Sequence, residues 1–331
     1  MAVVDIFNIP ENVISRDLKG RFLCIYGAEK VGKSTFGAKL PRPLFCNFEV
    51  GTNYLPVKPI NIDKWSTFKQ VLRQLERPEA HDYYDTVVID TVSEAYSACE
   101  KFVCAQAGVQ RIGEIPYGRG YADTKREFED ALRKITMLGF GLCCICHAEK
   151  KTLPGPDDST IDTMQPAMPT RAADVVNRMV DIIAYIDQRF DGEGNEIRRF
   201  ITRRTPTILA GSRLPYLDPV IPFSYEDLIE AIGRAIDKQQ ELDGAKVVDH
   251  AVTATVKETL SFNEVRSKAQ ELWTKLVGTG DTANPEVAEA ILKKIEITMG
   301  RKMKLSEFTE DQVDLLQLVV DDMEEMAKDK K

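Results

Sequence analysis

The chain has 331 residues, of which 43% are hydrophobic and 29% charged, and its formal net charge is −8. That length suits two domains or one large domain with an appendage, and the apolar fraction supports a globular core rather than a disordered chain. The acidic balance argues against broad, nonspecific attraction to nucleic acid, though it leaves room for a local basic channel. No apolar run approaches the roughly 20 residues that span a bilayer, and the first residues lack the basic and long apolar regions of a signal peptide. The expected location is therefore the cytoplasm, with no membrane partner.

The first informative element is the run 22–26, Phe-Leu-Cys-Ile-Tyr, which is short, apolar and β-prone, as a buried parallel strand should be. Gly27, Ala28, Glu29, Lys30, Val31, Gly32, Lys33, Ser34 and Thr35 follow it and fit G-x-x-x-x-G-K-[ST]. The next residues are helix-compatible until Pro41. Gly27 and Gly32 let the backbone turn tightly, so that its N–H groups converge on phosphate oxygens, and the following helix adds its positive N-terminal end. Lys33 is expected to reach the β- and γ-phosphates and Ser34 to ligate Mg²⁺. The loop 27–35 is thus the expected site of ATP.

Further strands are expected at 44–48, 86–90, 142–147 and 181–187, separated by amphipathic stretches. Trp65, Phe68, Val71, Leu72 and Leu75 recur at helical spacing, as do Phe128, Leu132, Ile135 and Leu138. The strand ends carry the polar residues. Asp90 closes an apolar run and is the expected second Mg²⁺ ligand, acting through water. Glu49 lies just past the second strand, where strand ends of an open α/β sheet meet the ligand crevice, and is preferred over Glu94 for activating the attacking water. Glu94 is expected on the helix after Asp90. His147 ends another strand at the same rim, either as a structural residue or as a sensor of the γ-phosphate. The segment Cys143-Cys144-x-Cys146-His147 invites a metal reading, but strand alternation sends neighbours to opposite faces and no second cysteine pair stands at zinc spacing. Core packing is the preferred reading.

Asp191-Gly-Glu-Gly-Asn195 is a turn cluster, and with β-like flanks, including 197–204, it predicts an antiparallel hairpin at the sheet edge. Past Pro222 the chain turns helical, with 225–236 packing back on the core. Residues 1–238 are expected as one domain, 239–261 as a linker, and 262–331 as a small helical module. In that module Val265, Ala269, Leu272 and Leu276 make one apolar stripe, and Asn284-Pro285 opens a second helix that Gly300 closes. Thr309-Glu-Asp-Gln312 forms a capping box before a third helix with Val313, Leu316, Val319 and Val320.

The phosphate loop, with Glu at its third position, resembles that of RecA-like ATPases, and Glu49, the 86–91 strand and His147 stand where that family keeps its catalytic glutamate, metal strand and polar sensor. Phe48-Glu-Val-Gly51, Pro116-Tyr-Gly-Arg-Gly-Tyr121, Ile145-Cys-His-Ala-Glu149 and Ala210-Gly-Ser-Arg213 together resemble phage-encoded RecA-like ATPases of the Sak type, implicated in recombination and single-strand annealing. The resemblance spans roughly residues 20–222. Cys46-Asn-Phe in place of Ile-Asp-x, and His in place of Gln at the sensor, depart from the wider pattern. The resemblance implies an α/β fold: a RecA-like P-loop NTPase core with a mostly parallel central sheet, to which the edge hairpin and the helical module are added. It also implies single-stranded DNA as a partner, alongside a single-stranded-DNA-binding protein or another recombination or replication protein, and assembly into a ring or filament. Two loops at the sheet rim would touch DNA, the first holding Arg111, Tyr117 and Arg119, the second running from Lys150 and Lys151 to Arg171. Cations, glycines and aromatics suit a groove that tracks phosphates and stacks bases. Within the basic cluster Arg198, Arg199, Arg203, Arg204 and Arg213, the last is the first choice for an arginine completing a neighbour's ATP site. A rival reading is a nucleotide-dependent interaction or loader protein with little DNA affinity, whose helical tail recruits a partner.

Overall fold

The structure, a computed structural model, describes residues 13–49, 54–155, 159–248, 261–278 and 283–328, which fall into two compact units, 13–248 and 261–328. In the first unit the strands are β1 (Val13–Ser15), β2 (Phe22–Gly27), β3 (Pro43–Asn47), β4 (Lys58–Asn61), β5 (Thr86–Asp90), β6 (Gly141–Pro154), β7 (Thr160–Pro166), β8 (Ile182–Phe190), β9 (Glu196–Ile201), β10 (Gly211–Ser212), β11 (Val220–Pro222) and β12 (Lys246–Val248). The helices are α1 (Lys33–Gly37), α2 (Trp65–Leu75), α3 (Ala80–Tyr83), α4 (Val92–Gln106), α5 (Arg119–Met137), α6 (Thr170–Met179) and α7 (Tyr225–Asp243). The central sheet runs β4-β3-β5-β6-β2-β8 in parallel, and β9, β10 and β11 extend it antiparallel beyond β8. This is the expected α/β architecture with an edge hairpin.

The inner strands read as unbroken apolar runs because helices cover both faces of the sheet. Phe22, Cys24 and Tyr26 enter the core beneath α2, α4, α5 and α6, against Trp65, Phe68, Phe128 and Val175. Leu23 and Ile25 enter the opposite core, beneath α1 and α7, against Phe36, Leu228 and Ile232. The cysteines obey the same alternation: Cys144 and Cys146 face the first core and Cys143 the second. Each is buried among apolar side chains, and burial pushes the Cys46 thiol up to about 12.

Three expectations are corrected. The segment from Lys150 onward is not a loop, because β6 outruns the central sheet and its second half pairs antiparallel with β7, from Ala148↔Pro166 to Pro154↔Thr160. The β6 strand of that ribbon is mostly exposed, so it lacks the buried alternation by which strands are recognised; residues 156–158 lie outside the described residues. The Tyr26 hydroxyl donates to the carbonyls of Met164 at 3.0 Å and Leu209 at 2.6 Å, fastening the base of the ribbon to the phosphate-loop strand. The first supposed loop is also largely structured: Arg119 begins α5, and Gly120 sits so close to Ile112 and Ile115 that a Cβ would lie 2.7 Å from Ile115 Cδ1. Finally, the expected linker begins as structure. α7 continues to Asp243, and β12 pairs in parallel with β1, a three-residue strand too short to leave a periodic signal. The remainder of that stretch, 249–260, lies outside the described residues.

The second unit consists of α8 (Phe262–Val277), α9 (Pro285–Met299) and α10 (Val313–Lys328) around a core that includes Val265, Ala269, Ile291, Ile295, Leu316 and Val320. The expected caps at Asn284, Gly300 and Thr309 are in place, and a further one opens α8. Ser261 and Glu264 form a capping box, Asn284 Oδ1 accepts from Glu286 N and Val287 N, and Gly300 closes α9 at φ 67°. No described helix is long and apolar enough to cross a membrane.

Candidate functional site

The C-terminal ends of β2, β3, β5 and the central half of β6 meet at one rim, because these strands are parallel neighbours in register: Gly27 beside His147, Asn47 beside Asp90, and Asp90 beside Ile145. A cleft of about 320 Å³ opens there, lined by Lys30, Gly32, Lys33, Ser34, Thr35, Glu49, Tyr54, Leu55, Asp90, Thr91 and His147. The phosphate loop, Glu49, Asp90 and His147, separated by more than a hundred positions in sequence, therefore share one cavity.

The loop has the conformation its glycines permit. Gly32 sits at φ 103° and Lys30 at φ 59°, so the chain turns back on itself before α1. α1 itself has only five residues, since the chain tightens before Pro41. The loop's own N–H groups, more than a long helix dipole, thus supply the positive lining. Lys33 is buried, and its Nζ donates to the carbonyl oxygens of Gly27 at 3.1 Å and Ala28 at 2.6 Å. Burial pulls its ammonium below the usual lysine range, an effect that Asp90 partly offsets.

Asp90 is also buried, and its Oδ2 accepts from the Ser34 hydroxyl at 2.6 Å. Burial pushes its carboxyl above the usual range, opposed by that hydrogen bond. A sequestered cation and a sequestered carboxylate, each incompletely compensated, suit a site built for a phosphate chain and a divalent cation. Ser34 and Asp90 offer the hard oxygen donors that Mg²⁺ prefers, and the loop N–H groups together with Lys33 offer the anion site of ATP.

Glu49 stands beyond this pair. Its Oε2 accepts from Thr91 Oγ1 at 3.3 Å and lies 3.5 Å from His147 Nε2, while half of its side chain remains exposed to the cleft. Glu94, by contrast, is exposed on the first turn of α4 and does not line the cleft. The position thus separates the two carboxylates considered for water activation, and Glu49 is the one that faces the phosphate loop. Gly51, part of the motif around Glu49, lies outside the described residues.

The other candidates are dispersed. Arg213 is at the opposite rim: β10 pairs with the first residues of β8, Arg213 N donates to Asp181 O at 2.8 Å, and Arg213 Nη1 lies 3.4 Å from Asp181 Oδ1. Asp181 in turn accepts from Phe22 N at the start of β2, so Arg213 braces the strand origins and does not reach the phosphate loop of its own chain. Arg111, Tyr117, Arg119, Lys151 and Arg171 are exposed. The Arg171 guanidinium lies 4.0 Å from the centroid of Tyr121, joining the start of α6 to the start of α5. Lys150 is held by Asp162 at 2.7 Å across the β6–β7 ribbon.

Three contributors escaped sequence reasoning. Tyr54, almost wholly exposed, and Leu55 line the cleft from a segment without a motif. Arg198, counted only as one of a basic cluster, donates from Nη1 to Val31 O at 3.1 Å, with its guanidinium 5.4 Å from the Phe223 ring. A contact spanning 167 positions leaves no local signal.

A family model described as an AAA domain matches residues 19–214. The chain is 26% identical over 336 aligned positions to the SPbeta prophage-derived uncharacterized protein YorG of Bacillus subtilis (strain 168), with 98% of each covered. Similar solved structures include the flagellar accessory protein FlaH from Methanocaldococcus jannaschii, at 13% identity and TM-score 0.33 over 64% of this chain and 88% of that one. A KaiC-like protein from Pyrococcus horikoshii OT3 matches at 11% identity and TM-score 0.34, over 63% and 88% respectively.

Proposed function

The chain belongs to the AAA-domain family, and on that premise we propose that it binds ATP with Mg²⁺, hydrolyses it, and acts on single-stranded DNA in phage recombination, annealing or replication. The observation that carries the catalytic part is the convergence of Lys33, Ser34, Asp90 and Glu49 on one cleft. Lys33 and the loop N–H groups hold the phosphates and neutralise charge that grows on them during transfer. Ser34 and Asp90 hold Mg²⁺, which when bound draws charge from the phosphate oxygens. Glu49, fixed by Thr91 and open to the cleft, orients a water and accepts its proton, and His147 keeps contact with that carboxylate.

The DNA part is supported by the exposed Arg119, Lys151 and Arg171 and by the fully exposed Tyr117, and the phage setting by the similarity to a prophage-derived protein. The rival loader reading draws on Lys150, already neutralised by Asp162, and on the net charge of −8. A filter-binding titration with labelled single-stranded DNA, with and without ATP, separates the two. ATP-enhanced retention is the result expected for the DNA reading. Hydrolysis without DNA retention at low salt would hand the protein to the loader reading.

A further inference from the structure

None of the described residues lining the cleft belongs to the helical unit, which carries an opening of its own. α10 packs against both α8 and α9 and fills one side of that pair. On another side a groove of about 580 Å³ is left, floored by Trp273, Leu292 and Leu305. Leu292 is 39% exposed and Trp273 only half-buried, so apolar surface faces water there. A cavity of this size and lining suits a few side chains of a bound segment.

The charges around it are uneven. Arg266 from α8 and Lys304 from the connection after α9 line the groove, its other polar lining (Gln270, Thr274 and Ser306) is neutral, and no carboxylate lines it. Among the described residues neither cation is engaged in an ion pair, whereas Lys268 and Lys294 nearby are neutralised by Glu324 and Asp322 of α10. A chain of net charge −8 thus keeps carboxylates out of its exposed apolar groove and sets two cations in the lining.

We propose that this groove is a docking site for an acidic peptide segment of a partner protein, one that inserts a Phe or Leu side chain between α8 and α9 and sets flanking Asp or Glu against Arg266 and Lys304. The apolar floor provides the anchor, and the two cations provide specificity and salt dependence. A nucleic acid fits less well. A phosphate backbone calls for a row of cations, whereas this groove offers two, and the adjoining hollow beside Leu292 mixes Lys293, Lys302 and Lys304 with Glu289, Glu296 and Glu307.

The test uses the full chain without nucleotide, so its outcome does not depend on the proposed ATPase cycle. Trp65, the other tryptophan, is buried in the first unit's core, so a change in emission on ligand addition reports Trp273. The probes are a short synthetic peptide of Asp and Glu around a Phe-Leu pair, the same peptide with Ala-Ala at the centre, and an oligothymidylate. The acidic Phe-Leu peptide should shift Trp273 emission with an affinity of about 10 μM. The Ala-Ala peptide and Leu292→Asp should each weaken binding by at least about fivefold. Arg266→Glu combined with Lys304→Glu should do the same, with unchanged far-ultraviolet circular dichroism. Lys304→Ala, a milder exposed change, is the second variant should the double one misfold. No shift with the acidic peptide, equal binding of the Ala-Ala peptide, binding indifferent to Arg266 and Lys304, or tighter binding of the oligothymidylate at this site would each overturn the proposal.

Discussion

Asp90 shows how a working site is built against stability. Its carboxyl is raised by burial, so the folded chain favours the protonated form more than the unfolded chain does. The resulting penalty is absent at acid pH, grows as pH climbs through the unfolded value toward the folded one, and is fully present above the folded value. Asp90→Asn should therefore raise the melting temperature of the nucleotide-free protein at pH 7 while weakening Mg²⁺-dependent nucleotide binding; thermal melts and nucleotide titrations check both. An unchanged or lower melting temperature would mean that the carboxylate is better compensated than its burial implies. Arg198 offers a second test. Holding Val31 O and lying against Gly32, it braces the loop from β9 without lining the cleft. Arg198→Ala should raise KM for ATP by about three- to tenfold with kcat little changed, the mark of lost uniform binding, and Arg198→Lys should recover part of it. The phosphate loop and Asp90 were legible because their chemistry is local: a glycine pattern and an apolar run ending in a carboxylate. Arg198 and Tyr54 were not, since only the folded sheet brings them to the loop.

Elements were legible in proportion to how deeply they are buried. The strand at 86–90 was read at its observed bounds, and β2 and β3 to within a residue at either end, because burial on both faces leaves an apolar run between polar ends. Two helices of the second unit were announced by Asn284 and Thr309 at their starts, and α8 by the apolar stripe of Val265, Ala269, Leu272 and Leu276, its Ser261 cap passing unread. The β6–β7 ribbon was missed for the opposite reason: its outer half faces water and its residues, Lys150, Lys151 and Thr152, resemble those of a loop. Its cross-strand pairing bears on the DNA reading. Lys150 and Thr152 both bind Asp162, so a phosphate must compete with that carboxylate. Asp162→Asn should tighten single-stranded DNA binding, whereas alanine at Arg119, Lys150 and Lys151 together should weaken it. Each lost phosphate contact should flatten the slope of log K against log salt by roughly 0.7. A slope unchanged in the triple variant would remove the ribbon and the α5 start from the DNA surface.

At the scale of the whole molecule, the chain joins a P-loop ATPase core to a separate helical unit, and the proposed roles divide accordingly between chemistry and recruitment. Assembly is where Arg213 finds its test. Within one chain it is tied to Asp181 at the rim opposite the cleft, so only a neighbouring chain's cleft is left for it to serve. In a ring or filament of that kind, Arg213→Ala should bind nucleotide without hydrolysing it, and mixing it with Lys33→Ala should restore part of the activity. Unaltered turnover in Arg213→Ala, together with a lower melting temperature, would make Arg213 a brace of the strand origins and nothing more.

The central claim is that Glu49, and not Glu94, activates water in the cleft built by the phosphate loop and Asp90. Steady-state ATP hydrolysis by Glu49→Gln and Glu94→Gln, with nucleotide affinity measured on the same preparations, tests it most directly. Glu49→Gln should bind ATP normally and turn it over at least about tenfold more slowly, with Glu94→Gln close to the unsubstituted protein. Normal turnover in Glu49→Gln, or the slow phenotype in Glu94→Gln instead, would contradict the account.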